Sequence, residues 1–274
     1  MNRRRFLGFL GAGALGGLSA GHRPPLRTGD ARDVRGTDLT DEQVDRPPSG
    51  LQRVIWSVET KLPVAALTFD DGPDPEFTPR ILDILERYDV RASFMVMAHN
   101  AIRHPGLLRR MVSAGHEIGG HGWEHLNLAE VGVREARREI EAGTKRIEDL
   151  AERRTRVFRP PYGRFSEAAV QLLANSRRDL IVWSVTRGDL GWQDPALIAS
   201  HVEGATGPGD IVDLHDGIGR GTFNRGSKIA DRIRRRRSVE VEALPAMIER
   251  IRGKGLQLET VSKLISVGDL PPSR

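Results

Sequence analysis

The sequence predicts an α/β domain in which parallel strands alternate with helices. From residue 64 onwards, seven short apolar runs with strand character recur, and segments with helical periodicity lie between them. The candidate reactive residues fall directly after these strands, where barrels of parallel strands carry their chemistry. The alternation implies right-handed crossovers, in either a closed barrel or an open sheet.

The strands are predicted from short apolar runs, several of them β-branched. The first strand of the alternation is Val64–Leu67, and the dipeptide Gly72-Pro73 opens a loop shortly after it. An edge strand is predicted before it, at residues 54–58. The remaining strands are predicted at residues 92–96, 116–120, 157–158, 180–185, 210–214 and 256–260.

The helices are predicted from apolar residues at helical spacing and from residues that begin or end a helix. Pro105 stands at the start of one helix and Gly115 directly after it, and Ser166 can cap another. The predicted helices cover residues 79–88, 105–114, 133–150, 166–173, 195–202, 239–252 and 261–267.

The N-terminal residues resemble a targeting segment. Arg3-Arg4 followed by Phe6-Leu7 is similar to a twin-arginine export signal, and the apolar stretch 6–20 ends at a small-residue cleavage site. We therefore predict an export signal at 1–20, a flexible linker at 21–50 and a catalytic domain at 51–270. The protein is expected to be secreted or associated with the cell envelope, and the alternative is an uncleaved membrane anchor.

Composition narrows the possible sites and partners. The chain has 274 residues and no cysteine, so any metal site must use nitrogen and oxygen ligands. The formal net charge of +5 falls to +2 when the three arginines of residues 1–20 are left out. This weak basicity and the export signal argue against nucleic acid as a partner.

Two adjacent carboxylates, Asp70 and Asp71, follow the first strand. At a strand end both side chains can reach one pocket, and crowded carboxylates favour protonation of one, a salt bridge or a bound metal. His121 and His125 follow the third strand and share a face if the segment turns helically. Two imidazoles, one carboxylate and an open water position describe a catalytic zinc site. The pattern leaves open which aspartate binds the metal.

Further polar residues follow the fourth and sixth strands. Arg159 can orient a carboxylate through a bidentate pair, and Pro160 helps to stiffen a loop in which the Tyr162 backbone N–H can face an oxyanion. His215 lies beside carboxylates and can act as a general acid or base. The plain alternatives are a stiff turn with a surface arginine and a histidine that caps a turn.

Five short motifs occur along the chain: TFDDGP from Thr68, HGWEH from His121, RPPYG from Arg159, a loop with Trp and Asp, and LHDG from Leu214. In this order they resemble the polysaccharide deacetylase family, carbohydrate esterase family 4. The resemblance covers residues 50–267 and implies a distorted (β/α)7 barrel of TIM-like type.

The resemblance also implies a role for each motif residue. Asp70 would be the catalytic base, Arg159 would hold it in place, and His215 would be the general acid. The Tyr162 backbone N–H would stabilise the oxyanion, and Leu214 would line a pocket for the acetyl methyl group. The metal ligands would be Asp71, His121 and His125.

Two motifs depart from the family pattern. Gly122 stands where the family usually has Ser or Thr, which removes a hydroxyl that helps to brace the histidine loop. In the fourth motif, Thr186 stands at the first aspartate and Leu190 at the tryptophan. We therefore expect Asp189 to tune the general-acid histidine and Trp192 to stand in for the missing tryptophan.

The expected reaction is metal-assisted hydrolysis of N-acetyl groups on a glycan such as peptidoglycan or a chitin-like polymer. The expected cofactor is one divalent metal, with zinc favoured and cobalt or nickel as substitutes. Substrate contacts are expected from Leu214, Trp192, Pro160 and Trp123. The alternatives are O-deacetylation of an acetylated xylan and a carbohydrate-binding domain with a disabled site.

The stretch Arg232–Arg237 holds five arginines and is predicted as a loop after the sixth strand. Such a loop would hold the enzyme near anionic cell-wall polymer or lipid head groups through an attraction that salt screens. The alternative is a solvated, mobile loop whose like charges repel one another.

Overall fold

The computed structural model of the chain describes residues 54–187, 194–219 and 227–268. The predicted export signal at 1–20 and linker at 21–50 lie outside these residues. So do the three residues Asp189, Leu190 and Trp192 of the fourth motif.

The described residues form one parallel sheet. Its strands are β1 (Val54–Ile55), β2 (Val64–Asp70), β3 (Ser93–Val96), β4 (Glu117–Gly120), β5 (Val157–Phe158), β6 (Asp179–Ile181), β7 (Val185–Thr186), β8 (Ile211–His215) and β9 (Gln257–Glu259). The order is β1-β6-β5-β4-β3-β2-β8-β7, and β9 pairs with the first half of β2. Every pair of named strands runs parallel, as the alternation with helices predicts.

The sheet curls because one short stretch of chain pairs with strands near both ends of the sheet. β6 and β7 are separated by only three residues, yet β6 pairs with β5 while β7 pairs with β8. The predicted strand at 180–185 is therefore two short strands that join the two ends of the sheet. The curled parallel sheet with surrounding helices confirms the predicted distorted (β/α)7 barrel.

The helices lie between the strands along the chain. They are α1 (Thr78–Arg87), α2 (Ala98–Arg103), α3 (Pro105–Ser113), α4 (Val133–Arg137), α5 (Gly143–Ala151), α6 (Glu167–Asn175), α7 (Pro195–Ala205), α8 (Lys228–Gly253) and α9 (Val261–Val267). A π-helical turn, Arg138–Ala142, joins α4 to α5. Among the described residues, no helix combines the length and the apolar character needed to span a bilayer.

The stretch Arg232–Arg237 is helical, so the prediction of a loop was wrong. It lies within α8, which Ser227 caps by accepting a hydrogen bond from the backbone N–H of Ala230. Arginine is a good helix former, but a run of arginines lacks the apolar spacing from which a helix is recognised. The helix therefore begins at Lys228, 11 residues before the predicted start at Val239.

Side chains along β2 change from apolar to polar inside the barrel. Val64 and Ala66 belong to the cluster that fills the interior, whereas Phe69 packs in the core against the helices. Because strand residues alternate between faces, Thr68 and Asp70 continue the interior row toward the carboxyl end. Apolar side chains thus fill the barrel at the amino-terminal end of β2, and buried polar groups lie at its carboxyl-terminal end.

Candidate active site and metal centre

The end of β2 and the residue that follows it carry two buried carboxylates in fixed positions. Asp70 and Asp71 are each 3% exposed. The backbone N–H of Gly72 donates to Asp216 Oδ1 at 3.0 Å, and Asn100 Nδ2 donates to the Asp71 carbonyl at 2.7 Å. These contacts hold both polar groups of the peptide unit that joins Asp71 to Gly72.

Asp71, His121 and His125 come together as a group whose ligand atoms lie within 4.8 Å of one another. Asp71 Oδ1 lies 3.1 Å from His125 Nε2 and 3.6 Å from His121 Nε2. His121 Nδ1 lies 2.8 Å from the Arg159 carbonyl. An Nδ1–H that donates to this carbonyl leaves the Nε2 lone pair directed at the group, as in metal sites.

The donor set fits a divalent cation. Asp71 Oδ1 is buried and accepts no hydrogen bond from any described residue, although buried carboxylate oxygens are normally paired. Two imidazole nitrogens and one carboxylate oxygen are three of the four ligands of a catalytic zinc site, which keeps its last position open.

Three residues of this region hold left-handed backbone conformations without being glycine. They are Asp71 with φ 77°, His125 with φ 64° and Tyr162 with φ 61°. Such conformations cost of order 1–3 kcal/mol each and collect at functional sites. The surrounding structure therefore over-determines the backbone where the candidate ligands lie.

The histidine loop, residues 121–126, is braced by a buried glutamate. Glu139 is 1% exposed. Its carboxylate accepts hydrogen bonds from the backbone N–H groups of Trp123 at 2.9 Å, Glu124 at 3.0 Å and Leu126 at 3.5 Å. Three donors from one loop satisfy a carboxylate that would otherwise be costly to bury.

Two glycines let this glutamate approach the loop. Glu139 lies in the π-helical turn, a feature that is frequent at functional sites. A Cβ on Gly143 would lie 3.1 Å from the carbonyl carbon of Gly122. Gly122 has φ +84°, and a Cβ there would lie 2.6 Å from Glu139 Oε2. The departure at Gly122 therefore makes room for the carboxylate that holds the loop.

Arg159 is the buried centre of the region between β2 and β8. It is 0% exposed. Its Nη1 donates to Asp70 Oδ1 at 2.7 Å, Thr68 Oγ1 at 2.8 Å and Asp213 Oδ1 at 3.0 Å, and its Nη2 donates to the Val182 carbonyl at 2.7 Å. The guanidinium thus holds one oxygen of Asp70 and leaves the other, Oδ2, 3.7 Å from His121 Nε2.

His215 lies at the end of β8, on the same face of the strand as Asp213. Its side chain is 24% exposed, and Glu240 Oε2 lies 3.6 Å from its Nδ1. Arg187 and Arg237 bind the other oxygen of Glu240, at 2.8 Å and 3.1 Å. The histidine therefore combines access to solvent with a buried carboxylate behind it.

The pKa shifts of the ligand group follow from crowded charges. Burial raises the pKa of Asp71, but the His125 charge and the close approach of both imidazoles outweigh burial and hold that pKa well below its ordinary value. Burial lowers the pKa of His121, but the charges of Asp70 and Asp71 outweigh it and raise that pKa. The group therefore attracts positive charge, which a cation would supply.

The carboxyl groups of β8 and of the turn after it bind protons more readily than usual. Burial, with the Asp70 charge, raises the pKa of Asp213 to about 6, against the opposing charges of His215 and Arg159. Burial raises the pKa of Asp216 to about 7, and the hydrogen bond from Thr78 only partly offsets it. A proton on either group relieves repulsion among the neighbouring acids.

His215 and Glu240 shift in opposite directions. Burial and the Arg237 charge lower the pKa of His215, but Asp213 and Glu240 outweigh them and raise it. Burial raises the pKa of Glu240, but the charges of Arg237, His215 and Arg187 dominate and lower it to about 2. Glu240 is therefore ionised, and it favours the protonated form of the histidine.

The other predicted site residues occupy varied positions. Tyr162 is 47% exposed, and its ring centroid lies 4.5 Å from that of His125. Trp123 packs against the main core, with the Arg138 guanidinium 5.7 Å from its ring centroid. Pro160 precedes the short 3-10 turn that carries Tyr162. Leu214 packs in the core on the outer face of β8, and its place in an acetyl pocket stays a prediction, as do the substrate contacts.

Sequence reasoning missed several polar residues of the region. They are Glu139, Arg187, Asp213, Asp216, Arg237 and Glu240. A usable signal existed for the two glutamates, because each stands on the buried face of its helix. Glu240 precedes the buried residues Leu244 and Met247 by four and seven positions, the spacing of one helical face.

Comparison with known proteins points to one family. A family model described as polysaccharide deacetylase matches residues 57–178. The peptidoglycan-N-acetylglucosamine deacetylase of Bacillus cereus is 31% identical over 214 residues, which cover 77% of this chain and 92% of the relative. The chitooligosaccharide deacetylase of Sinorhizobium fredii is 37% identical over 168 residues, which cover 60% of this chain and 77% of the relative.

Solved structures give the same likeness. The crystal structure of the Bc1960 peptidoglycan N-acetylglucosamine deacetylase superposes with a TM-score of 0.69 and is 29% identical in sequence. The match covers 78% of this chain and 94% of that protein. The fold is therefore shared with a deacetylase of known structure.

Proposed function

The chain belongs to the polysaccharide deacetylase family, and on this basis we propose that it hydrolyses the N-acetyl groups of a glycan. One observation carries the proposal. Asp70, which is outside the ligand group, points one oxygen at that group and is held through the other by Arg159. A base beside a three-ligand cation site is what hydrolysis of an amide by water requires.

The proposed metal ligands are Asp71, His121 and His125, and the proposed metal is zinc. Imidazole nitrogens with one carboxylate oxygen suit zinc, and cobalt or nickel can replace it in such a set. A cation held there supplies Lewis acidity, which lowers the pKa of a bound water and polarises a carbonyl oxygen. Metal analysis of the purified chain tests both the stoichiometry and the element.

The residues of the chain divide the proton transfers between them. Asp70 accepts a proton from the attacking water as the water oxygen bonds to the acetyl carbonyl carbon. The Tyr162 backbone N–H stabilises the charge that develops on the carbonyl oxygen. The C–N bond then breaks, its electron pair goes to nitrogen, and His215 donates a proton to that nitrogen. Water and the N-acetyl sugar thus give acetate and a free amine.

The names of the relatives favour peptidoglycan or a chitin-like oligomer as substrate. Acetate release from both glycans should require the metal and stop after treatment with a chelator. Release from acetylated xylan alone would replace N-deacetylation by O-deacetylation. Tight glycan binding by the metal-loaded chain, without acetate release, would favour a binding domain.

Export to the cell envelope is the proposed localisation, and it rests on the Arg3-Arg4 pair and the apolar residues that follow it. Replacing both arginines by lysine should block export of the precursor. Unchanged secretion would indicate the general secretory route.

Contact with an anionic surface is proposed through the arginine-rich part of α8. Arg232 and Arg235 are exposed, whereas Arg234 pairs with Glu76 and Arg237 reaches Asp71. Replacing Arg232 and Arg235 by Ser should weaken co-sedimentation with cell wall or anionic vesicles at low salt, because salt screens exposed charges.

The matched control replaces the exposed pair Arg153 and Arg154 by Ser. Equal co-sedimentation of the wild type and both double variants would show that α8 does not hold the protein to a surface.

A further inference from the structure

Glu240 is a buried carboxylate that faces the proposed general acid. It lies on α8 and is 2% exposed. Its Oε2 accepts a hydrogen bond of 3.1 Å from the backbone N–H of His215 and lies 3.6 Å from Nδ1 of the same residue. His215 Nδ1 is buried and has no hydrogen-bond partner among the described residues. Among the described residues, the carboxylate that lies nearest to this nitrogen is therefore that of Glu240.

Two arginines hold Glu240 in this position. Arg187 Nε lies 2.8 Å and Arg237 Nη1 lies 3.1 Å from Oε1, and both side chains are largely buried. The arginines take one carboxylate oxygen, so the other is directed at the histidine. A buried carboxylate paired with two guanidinium groups and a backbone N–H keeps its charge.

We propose that Glu240 is the positioning residue for His215, and that it takes the place of the carboxylate the family has at Thr186. An ionised Glu240 favours the proton on Nδ1, which leaves Nε2 to carry the proton that is donated to the leaving nitrogen. The distance of 3.6 Å is longer than a hydrogen bond, and such contacts tighten when substrate binds. This inference rests on the proposed function of the site.

Glu240 does not accept the proton in this scheme. The imidazolium form of His215 gives its Nε2 proton to the amine nitrogen and becomes neutral, and the C–N bonding pair stays with that nitrogen. Glu240 remains a carboxylate throughout. It stabilises the charged form before the transfer and fixes the ring that makes it.

Asp213 is the other described carboxylate near His215, and its geometry is different. It accepts from Arg159 Nη1 at 3.0 Å, in the same cluster as Asp70. Burial raises the pKa of Asp213 to about 6, so it holds its charge less firmly than a group paired with two arginines. Asp213 therefore belongs with Arg159 and the proposed base, Asp70. Glu240 belongs with the proposed general acid, His215.

The test compares two substrates that differ in their leaving group. An amine must be protonated before it departs, whereas the phenolate of 4-nitrophenyl acetate departs without a proton. In the full chain loaded with zinc, Glu240→Gln should lower kcat on an N-acetylated chitin oligomer by about 10- to 100-fold. The loss on the aryl ester should be several times smaller. His215→Ala should likewise lose more activity on the N-acetylated oligomer than on the aryl ester.

Glu242→Gln is the matched control, because it makes the same change at an exposed position on the same helix. It should leave both activities and the metal content as in the wild type. Glu240→Asp keeps a charge for the arginines but withdraws the carboxylate from the histidine by one methylene. If Glu240→Gln does not fold, Glu240→Asp should still lose more activity on the amide than on the ester.

Equal losses on the two substrates would overturn the proposal, because a purely structural role affects both. Unchanged kcat on the amide would overturn it as well. Failure of the proposed function has a different signature: the wild type would then release no acetate from the N-acetylated oligomer. The nitrogen chemical shifts of His215, measured at one pH, should show more proton on Nε2 and less on Nδ1 in Glu240→Gln than in the wild type.

Discussion

The histidine loop and the strand that carries His215 are both supported by a buried glutamate from a neighbouring helix, but the two carboxylates are stabilised in different ways. Glu139 accepts hydrogen bonds from three backbone N–H groups of the loop. Glu240 pairs with the side chains of two arginines and with His215. One glutamate therefore organises a backbone, and the other organises charged side chains.

The different partners of the two glutamates indicate what the loss of each carboxylate would change. Loss of the Glu139 carboxylate would leave loop N–H groups unpaired and release the segment that holds two proposed metal ligands. Loss of the Glu240 carboxylate would remove a negative charge that two largely buried arginines share, which is a costly change. Arg237 connects the two sides, because it donates to Glu240 at 3.1 Å and to Asp71 at 3.3 Å.

The largest effects should separate a proposed metal ligand from the proposed base. His125→Ala should lose both metal and turnover, because it removes a proposed ligand. Asp70→Asn should lose turnover by more than about 10³-fold and keep its metal, since a base contributes on this scale. Metal analysis alongside acetate release checks both variants. A metal content equal to wild type in His125→Ala would show that the ligand set is wrong, and full activity of Asp70→Asn would rule it out as the base.

The next effect tests the backbone brace. Glu139→Gln replaces one acceptor oxygen by a donor, which then faces loop N–H groups. Metal affinity should fall by about 10- to 100-fold, the usual cost of disturbing groups that orient ligands. Titration of the metal-free protein with zinc measures it. Glu141→Gln, at a more exposed position of the same π-helical turn, is the control, and an equal fall there would remove the brace as the cause.

A pH effect on stability should be specific to Glu240. Its pKa is lowered to about 2 from an ordinary 4.5, so the stability it contributes is present above pH 4.5 and is lost as the pH falls toward 2. Between pH 5 and pH 3 the advantage of the wild type over Glu240→Gln should shrink by about 2 kcal/mol. Urea unfolding at both pH values measures it. An advantage that does not change with pH would contradict the assigned charge.

The smallest effect should show that Gly122 and Glu139 depend on each other. A serine at residue 122 must adopt φ +84° and would place its Cβ against the Glu139 carboxylate, so Gly122→Ser should cost about 1–3 kcal/mol. In the background of Glu139→Ala the added cost should be smaller, because the clash is gone. Thermal unfolding of the four proteins gives the coupling. Additive losses would show that backbone strain alone explains the glycine.

Much of the site could be predicted from sequence because its residues occur in short motifs at strand ends. The apolar run before Asp70 predicts a strand, and the alternation of strands with helices places each motif at the same edge of the sheet. This pattern predicts His121, His125 and one of the two aspartates as a metal group, and the family resemblance selects Asp71. The structure brings the candidate ligand atoms of Asp71, His121 and His125 within 4.8 Å of one another. Local periodicity carries this information, since strand and helix patterns are set by neighbours in the chain.

The sequence by itself thus determined the alternation of strands and helices, the strand ends and the meeting of the candidate ligands at one edge of the sheet. Only the tertiary structure decided that the sheet curls through β6 and β7, that Arg237 turns into the site and that Glu139 and Glu240 are buried there. Glu240 contacts His215, which lies 25 positions away in the chain. Glu240 also pairs with Arg187, which lies 53 positions away. A buried acid is tolerated only where such distant partners offset the cost of removing it from water, and no local pattern shows which partners the fold brings together.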